Sequence, residues 1–462
     1  MKEEFNDFHN HSISKFESML KTNSFLFFDS NEFEEIIIYY LDIGNISLAK
    51  KACSLGIKQY PNSTSLSVLQ IEILLLNNEI EKAEKIACNF YKTDPLNPEI
   101  LIQKSKIYSK KKNHIKAIKI LKEISLNSDL YYEALSLIGK EYLFIDDFQN
   151  AKKVFKKCLN MNSSDYSILN NILYCFDSIG NSRNTINFLN DFLETNPYCE
   201  IAWHQLGKQY VKDEMFKEAL SAFDFAIICD DSFTGAYIEM AKILEKLEKI
   251  NEAIEKYEIS LGINGPNSFA LFRLGRCHDK LGNCELALSY YKQTIDQDPI
   301  HDKAWMYISL NYFNKKKFND SKNSLLKALE INSEKIKYWK LYLKICIELD
   351  LYDETELAFV EILSIEKLKI STISFLTQIL IKIPSNKKLH YRLLKSIDLL
   401  PNSDKNEINY FLSVIYFNLT ENKTAILFLK KAYLYDPSKY DYFKKLFSLI
   451  PKLQVFKNLL VN

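Results

Sequence analysis

The sequence predicts an all-α fold built from stacked antiparallel helical hairpins, and three observations predict it. A small residue returns every 34 positions, at Ala49, Ala83, Ala117, Ala151, Thr185, Ala219, Ala253, Ala287, Ser321 and Thr355, with no insertion between them. Apolar residues inside each period are spaced for helices, as in Trp203, Leu206, Gly207 and Tyr210, then Ala219, Phe223 and Ala226. The two stripes are separated by only Lys212-Asp213-Glu214-Met215, room for a tight turn, so the two helices of a unit run antiparallel. A fixed period sustained over ten units means one supersecondary element repeated and stacked.

Further columns keep the same register. Leu101, Leu135, Leu169, Trp203, Tyr237, Leu271, Trp305 and Trp339 form one, and seven residues further on Tyr108, Tyr142, Phe176, Tyr210, Leu244, His278 and Tyr312 form another. Four residues after the small-residue ladder stand Phe155, Leu189, Phe223, Tyr257, Tyr291, Leu325 and Phe359. Proline closes several units, at Pro61, Pro95, Pro197 and Pro299. Gly207 and Ala219 are expected where the two helix backbones of a hairpin approach closely.

These residues resemble the tetratricopeptide repeat. Its pattern Trp-x2-Leu-Gly-x2-Tyr, followed by Ala, Phe, Ala and Pro, is matched by Trp203, Leu206, Gly207, Tyr210, Ala219, Phe223 and Ala226, with Asp231 in place of the proline. The resemblance implies a right-handed superhelical solenoid of antiparallel hairpins with terminal capping helices. Residues 30–369 divide into ten in-register units, and residues 370–439 into two divergent ones, of which 370–405 carries two extra residues and Pro384 in its turn. The last unit recovers Tyr416, Ala425, Ala432 and Pro437.

Caps are expected at both ends, because an unstacked hairpin face is apolar. Residues 1–29 form a leader in which Ile13, Phe16 and Leu20 shield the first unit and Phe25-Leu26-Phe27-Phe28 is a packed linker. Residues 440–462 are expected to close the array with one or two helices. The apolar run of the leader is too short for a signal peptide or a membrane span and lacks a basic flank.

The 462-residue length exceeds what one globular core supports, but a solenoid escapes that limit because each hairpin buries its face only on its neighbours. Ten Gly and ten Pro leave no room for linkers. A net charge of +1 removes any global electrostatic case for binding nucleic acid or a membrane. Nine scattered cysteines without a Cys-x-x-Cys pair read as small buried hydrophobes in a reducing compartment, which assigns a cytoplasmic location. The Ile, Lys, Asn and Tyr richness is similar in flavour to repeat proteins of Bacteroidetes-type bacteria.

No phosphate loop, nucleophile elbow or His-Glu-x-x-His motif is present, and His278, next to Cys277, fills a core tyrosine column. The expectation is a non-enzymatic chain without metal or cofactor. In the family it resembles, the first helix of each hairpin lines an inner groove, and its second, fifth and ninth positions touch a partner. The ninth positions here read Lys106, Lys140, Tyr174, Lys208, Lys242 and Arg276 in six successive units, against a chain average of 60 Lys and Arg in 462 residues. Lys340 and Lys344 add two cations in the tenth unit, and Asn170 and His204 occupy fifth positions. This stripe suits an acidic protein segment, extended or helical. The bland reading is that these cations are solvated or paired with acids such as Glu133, Glu239 and Glu245. The family's clamp of Lys with Asn for a chain-terminal carboxylate is absent. Two other readings stay open, single-stranded RNA binding and a regulatory arm of a separate enzyme; against RNA stand the near-neutral charge and few aromatic residues beside the cations.

Overall fold

A computed structural model describes residues 2–22, 26–180, 182–365, 368–400, 402–437 and 440, in which there are twenty-five helices and no strand. The chain forms two compact units, residues 1–230 and 231–462. The first holds the leader helix Lys2–Thr22 and six hairpins, from Ser30–Asp42 with Ile46–Gln59 to Glu200–Lys212 with Phe216–Cys229. The second holds six more, from Thr234–Lys246 with Ile250–Asn264 to Asn402–Asn418 with Asn422–Tyr435. Within each unit the helices pack on their neighbours one and two places along the chain, so first helices lie beside first helices.

Most hairpin turns are closed the same way; the turn between Ile370–Lys382 and Lys387–Asp398, which contains Pro384, is not, since Ile383 has a φ of −123° and the Asn386 N–H donates to the Ile383 carbonyl at 3.2 Å. In Lys212-Asp213-Glu214-Met215 the Met215 N–H donates to the Tyr210 carbonyl at 2.9 Å, the Glu214 N–H donates to the Val211 carbonyl at 3.2 Å, and Glu214 adopts a φ of +59°. That pair of bonds satisfies two orphan carbonyls at the helix end and requires a left-handed residue. The left-handed position recurs with the repeat, at Gly44, Asn78, Lys112, Asp146, Gly180, Glu214, Glu248, Gly282, Lys316 and Asp350.

Inside a hairpin the recurring spacing serves a ring. A Cβ added at Gly275 would lie 2.5 Å from the Tyr291 ring, and one at Gly207 would lie 2.6 Å from the Phe223 ring. The glycine therefore makes room for the aromatic side chain four residues beyond the ladder, and not for the opposite helix backbone as the sequence suggests. Where that glycine is Ser309, its hydroxyl donates to the Ser321 carbonyl and the Ser321 hydroxyl donates back to the Ser309 carbonyl, both at 2.8 Å. The tryptophans fasten the loops between hairpins. The indole N–H groups of Trp203, Trp305 and Trp339 donate to the carbonyls of Pro197, Pro299 and Ser333, each six residues upstream, at 2.8, 3.0 and 2.7 Å.

The leader helix rests on the first hairpin. Phe16 is fully buried, with ring centroids 6.1 Å from Phe28 and 6.0 Å from Tyr40, and Ile13 and Met19 complete the contact. The following segment is less uniform than a packed linker: Phe28 is buried, Phe27 is 72% exposed, and Phe25 lies outside the described residues. Two other departures have local causes. The second helix His114–Leu121 stops early, because the Ser125 and Ser128 hydroxyls accept the N–H groups of Asn127 and Leu130 and hold a turn there. The first helix of the last hairpin begins at Asn402, ahead of the unit start expected at 406. The expected closing helices lie outside the described residues beyond Tyr440.

Candidate partner-binding face

The stripe residues stand on the first helices of their hairpins, Lys106, Lys140, Asn170, Tyr174, His204 and Lys208 in the first compact unit and Lys242, Arg276, Lys340 and Lys344 in the second. In the first unit Lys140, Asn170 and Lys208 are exposed, Lys106 is half-buried, and Tyr174 is 56% exposed, its ring edge-on to Phe148 at 6.0 Å. Lys106, Lys140 and Lys208 join no ion pair among the described residues. His204 is the exception, half-buried with its ring tilted onto Phe223 at 5.5 Å, so its face serves the hairpin core.

The second unit treats its cations differently. Lys242 pairs with Glu239 at 2.8 Å and lies 5.1 Å above the Phe269 ring. Arg276 lies 5.8 Å from the Tyr307 ring centroid, and Lys340 and Lys344 lie 5.5 and 5.7 Å from that of Phe375. Lys340 also donates to the Thr372 hydroxyl at 3.2 Å. Each ring belongs to the following hairpin, and each contact contributes about 0.5–1 kcal/mol at an exposed site. The expectation of few aromatics beside the cations is therefore wrong for this unit: pairing partners 27 to 35 residues apart are invisible to a local reading. Of the acids considered as partners, Glu239 does pair with a stripe lysine, whereas Glu245 is 5% exposed and accepts from Arg273 at 2.7 Å and from the Tyr257 hydroxyl at 2.8 Å.

Around Arg276 the second unit forms a cleft of about 500 Å³, lined on one side by Arg276, Asp279 and Lys280 and on the other by Tyr307, Leu310 and Asn311. Tyr307 stacks on the buried Tyr291 at 5.3 Å, and the Tyr291 hydroxyl donates to Asp279 at 2.5 Å. Burial pushes the Asp279 carboxyl above the ordinary aspartate range, against that hydrogen bond and the nearby Arg276. Only Arg276 of this set stands out in the sequence. Asp279 had a signal: where the ring column is Tyr, at Tyr257 and Tyr291, the twelfth position of the first helix is an acid, Glu245 or Asp279, whereas beside Phe155 and Phe223 it is Leu143 or Val211.

No group of three or more His, Cys, Asp and Glu side chains able to hold a metal ion occurs among the described residues. No helix among them is long and apolar enough to cross a membrane. His278 is buried and stacks on Tyr290 at 5.3 Å.

Tetratricopeptide-repeat family models match residues 132–165 and 269–299, two hairpins of the array described above. The chain carries tetratricopeptide repeats. Repeat proteins similar to it include a TPR repeat-containing protein of Methanocaldococcus jannaschii, 24% identical over 225 residues, which are 49% of this chain and 35% of that one. Anaphase-promoting complex subunit 3 of Schizosaccharomyces pombe is 23% identical over 200 residues, 43% of this chain and 30% of that one. The chain thus spans about a third of the length of these curated relatives. A solved tetratricopeptide repeat protein from Parabacteroides merdae is 18% identical, with a TM-score of 0.38, covering 54% of this chain and 98% of its own.

Proposed function

We propose that the chain is a non-enzymatic protein-interaction scaffold whose first-helix faces hold an acidic segment of a partner protein, extended or helical. The supporting observation is the state of the ninth-position cations. Lys106, Lys140 and Lys208 join no ion pair among the described residues, and Arg276 and Lys344 are braced on aromatic rings rather than on carboxylates. A cation fixed without a carboxylate partner gains most when a ligand carboxylate arrives, because less side-chain freedom remains to be lost. Tyr174 and Asn170 supply adaptable contacts beside Lys140 and Lys208, Lys340 adds charge beside Lys344, and Lys242, neutralised by Glu239, contributes least. That repeats of this family occur in an anaphase-promoting complex subunit supports assembly with proteins in general.

The test is charge reversal at positions that the fold does not use. Lys140→Glu with Lys208→Glu replaces two exposed side chains, so thermal stability stays within about 0.5 kcal/mol per site. Affinity for acid-rich peptides in a fluorescence-anisotropy titration falls at least tenfold. Unchanged affinity rules out the stripe in the first unit. Tight binding of a poly-uridine oligonucleotide with steep salt dependence, and none of acidic peptides, moves the assignment to RNA.

A further inference from the structure

We infer that the cleft between the helix pairs Ser268–Lys280 with Cys284–Gln297 and Asp302–Asn314 with Phe318–Ile331 is an anchor pocket for one Glu or Asp side chain of the partner. This rests on the proposed function and names the contact at one place in it.

Four features of the cleft carry the assignment. Its volume of about 500 Å³ is in the range of small-ligand sites, ample for one side chain and its adjoining peptide group. Its charged groups without an ion pair among the described residues are two cations and one acid, Arg276, Lys280 and Asp279, which leaves a net positive lining, whereas the third cation, Lys315, is held by Glu285 at 2.7 Å. The acid in the wall, Asp279, is already engaged by the Tyr291 hydroxyl at 2.5 Å. Arg276 is positioned over Tyr307, whose ring is fixed in turn by stacking on Tyr291, so the guanidinium is placed for a planar carboxylate before any ligand arrives.

The fourth feature concerns the rest of the ligand. Asn311 is only 6% exposed, and its amide N–H donates to the Cys284 carbonyl at 2.8 Å. Its Oδ1 is left without a hydrogen-bond partner in the wall of the cleft. A buried acceptor in that state is satisfied by a ligand that brings a donor when the Asn311 side chain turns its oxygen toward the cleft, and the main-chain N–H next to an acidic side chain is such a donor. Leu310 meets the methylenes of the side chain.

The cleft carries its own reporter. Cys284 lines it, and of the nine cysteines it is the one that is exposed. The experiment measures the alkylation rate of Cys284 by neutral N-ethylmaleimide in the full chain, with N-acetylglutamate N-methylamide at about 10 mM, a concentration suited to a millimolar single-residue ligand, and with the glutamine analogue as control. The expected result is several-fold protection by the glutamate compound, little by the glutamine one, and loss of protection in Arg276→Gln with partial recovery in Arg276→Lys. Equal rates with and without the glutamate compound overturn the pocket, as does equal protection by both compounds. Lys140→Glu with Lys208→Glu lies in the other unit and leaves protection unchanged. Loss of acidic-peptide binding in that double variant without any protection of Cys284 therefore rejects the pocket alone, and protection without any preference for acidic peptides rejects the wider groove reading alone.

Discussion

Replacing Gly275 by Ala is expected to destabilise the hairpin that contains it, although alanine is the better helix former. The added Cβ would lie 2.5, 2.7 and 3.1 Å from three atoms of the Tyr291 ring. That ring is fully buried, stacked on Tyr307, and tied to Asp279 through its hydroxyl, so it has no direction in which to swing. Overpacking of this kind costs about 1–3 kcal/mol, and the upper half applies to a ring held at both ends. The helix-propensity gain of about 1 kcal/mol offsets part of it, leaving a net loss of about 1–2 kcal/mol. Gly262 provides the control, since it is a helical, exposed glycine with nothing within 4 Å of an added Cβ, and its replacement stabilises by up to about 1 kcal/mol. In a repeat array the loss stays local, so native-state hydrogen exchange reads it best: Ser268–Lys280 and Cys284–Gln297 lose protection while distant helices do not. Gly275→Ala matching or exceeding Gly262→Ala in stability would falsify the account of why the glycine column exists.

Three further outcomes follow from the same structure. The left-handed turn column holds strained side chains at Glu214 and Lys316, with φ of +59° and +58°, so Gly at either stabilises by about 0.5–1 kcal/mol and Gly282→Ala costs about 1 kcal/mol in urea unfolding. Tyr257→Phe removes one of the two donors to the buried Glu245 and costs about 1–2 kcal/mol by the same assay, whereas Phe223→Tyr, with no acid opposite, recovers no such bond. His390 is fully buried with its Nδ1 beside the Asn386 carbonyl at 2.9 Å, and burial holds its pKa below the ordinary 6.5. Below pH 6.5 the unfolded chain takes up a proton that the folded one refuses, so stability is full above that value and falls as the pH drops through it; a linear pH profile of unfolding with no change between wild type and His390→Leu would refute this.

The fold was legible because the stacking rule is written once per 34 residues: Trp203, Gly207, Tyr210, Ala219 and Phe223 each sit where the structure needs them. What stayed hidden has a common cause. The left-handed turn residue is demanded by backbone geometry, yet only Gly44, Gly180 and Gly282 advertise it, while Lys112 or Glu248 at the same place carries no signal. Arg276 over Tyr307 and Lys344 over Phe375 couple neighbouring hairpins through side-chain reach, which a column of identical positions does not encode. His204 looked like a contact residue by position, but the neighbouring Phe223 draws its ring inward. The cleft at Arg276 needed two helix faces to be seen together, Arg276-Asp279-Lys280 and Tyr307-Leu310-Asn311.

The central claim is that partner carboxylates meet the first-helix cations, and zero-length carbodiimide coupling tests it directly, because that reagent joins a carboxylate to a lysine only when the two are in contact. The chain is used to capture partners from a nuclease-treated lysate of its source cells at low salt, coupled, digested and mapped by mass spectrometry. The account predicts links from partner Asp and Glu to Lys106, Lys140, Lys208 and Lys344. Links confined to second-helix lysines such as Lys152 and Lys292, or capture found in a parallel untreated lysate but not in the nuclease-treated one, would contradict it.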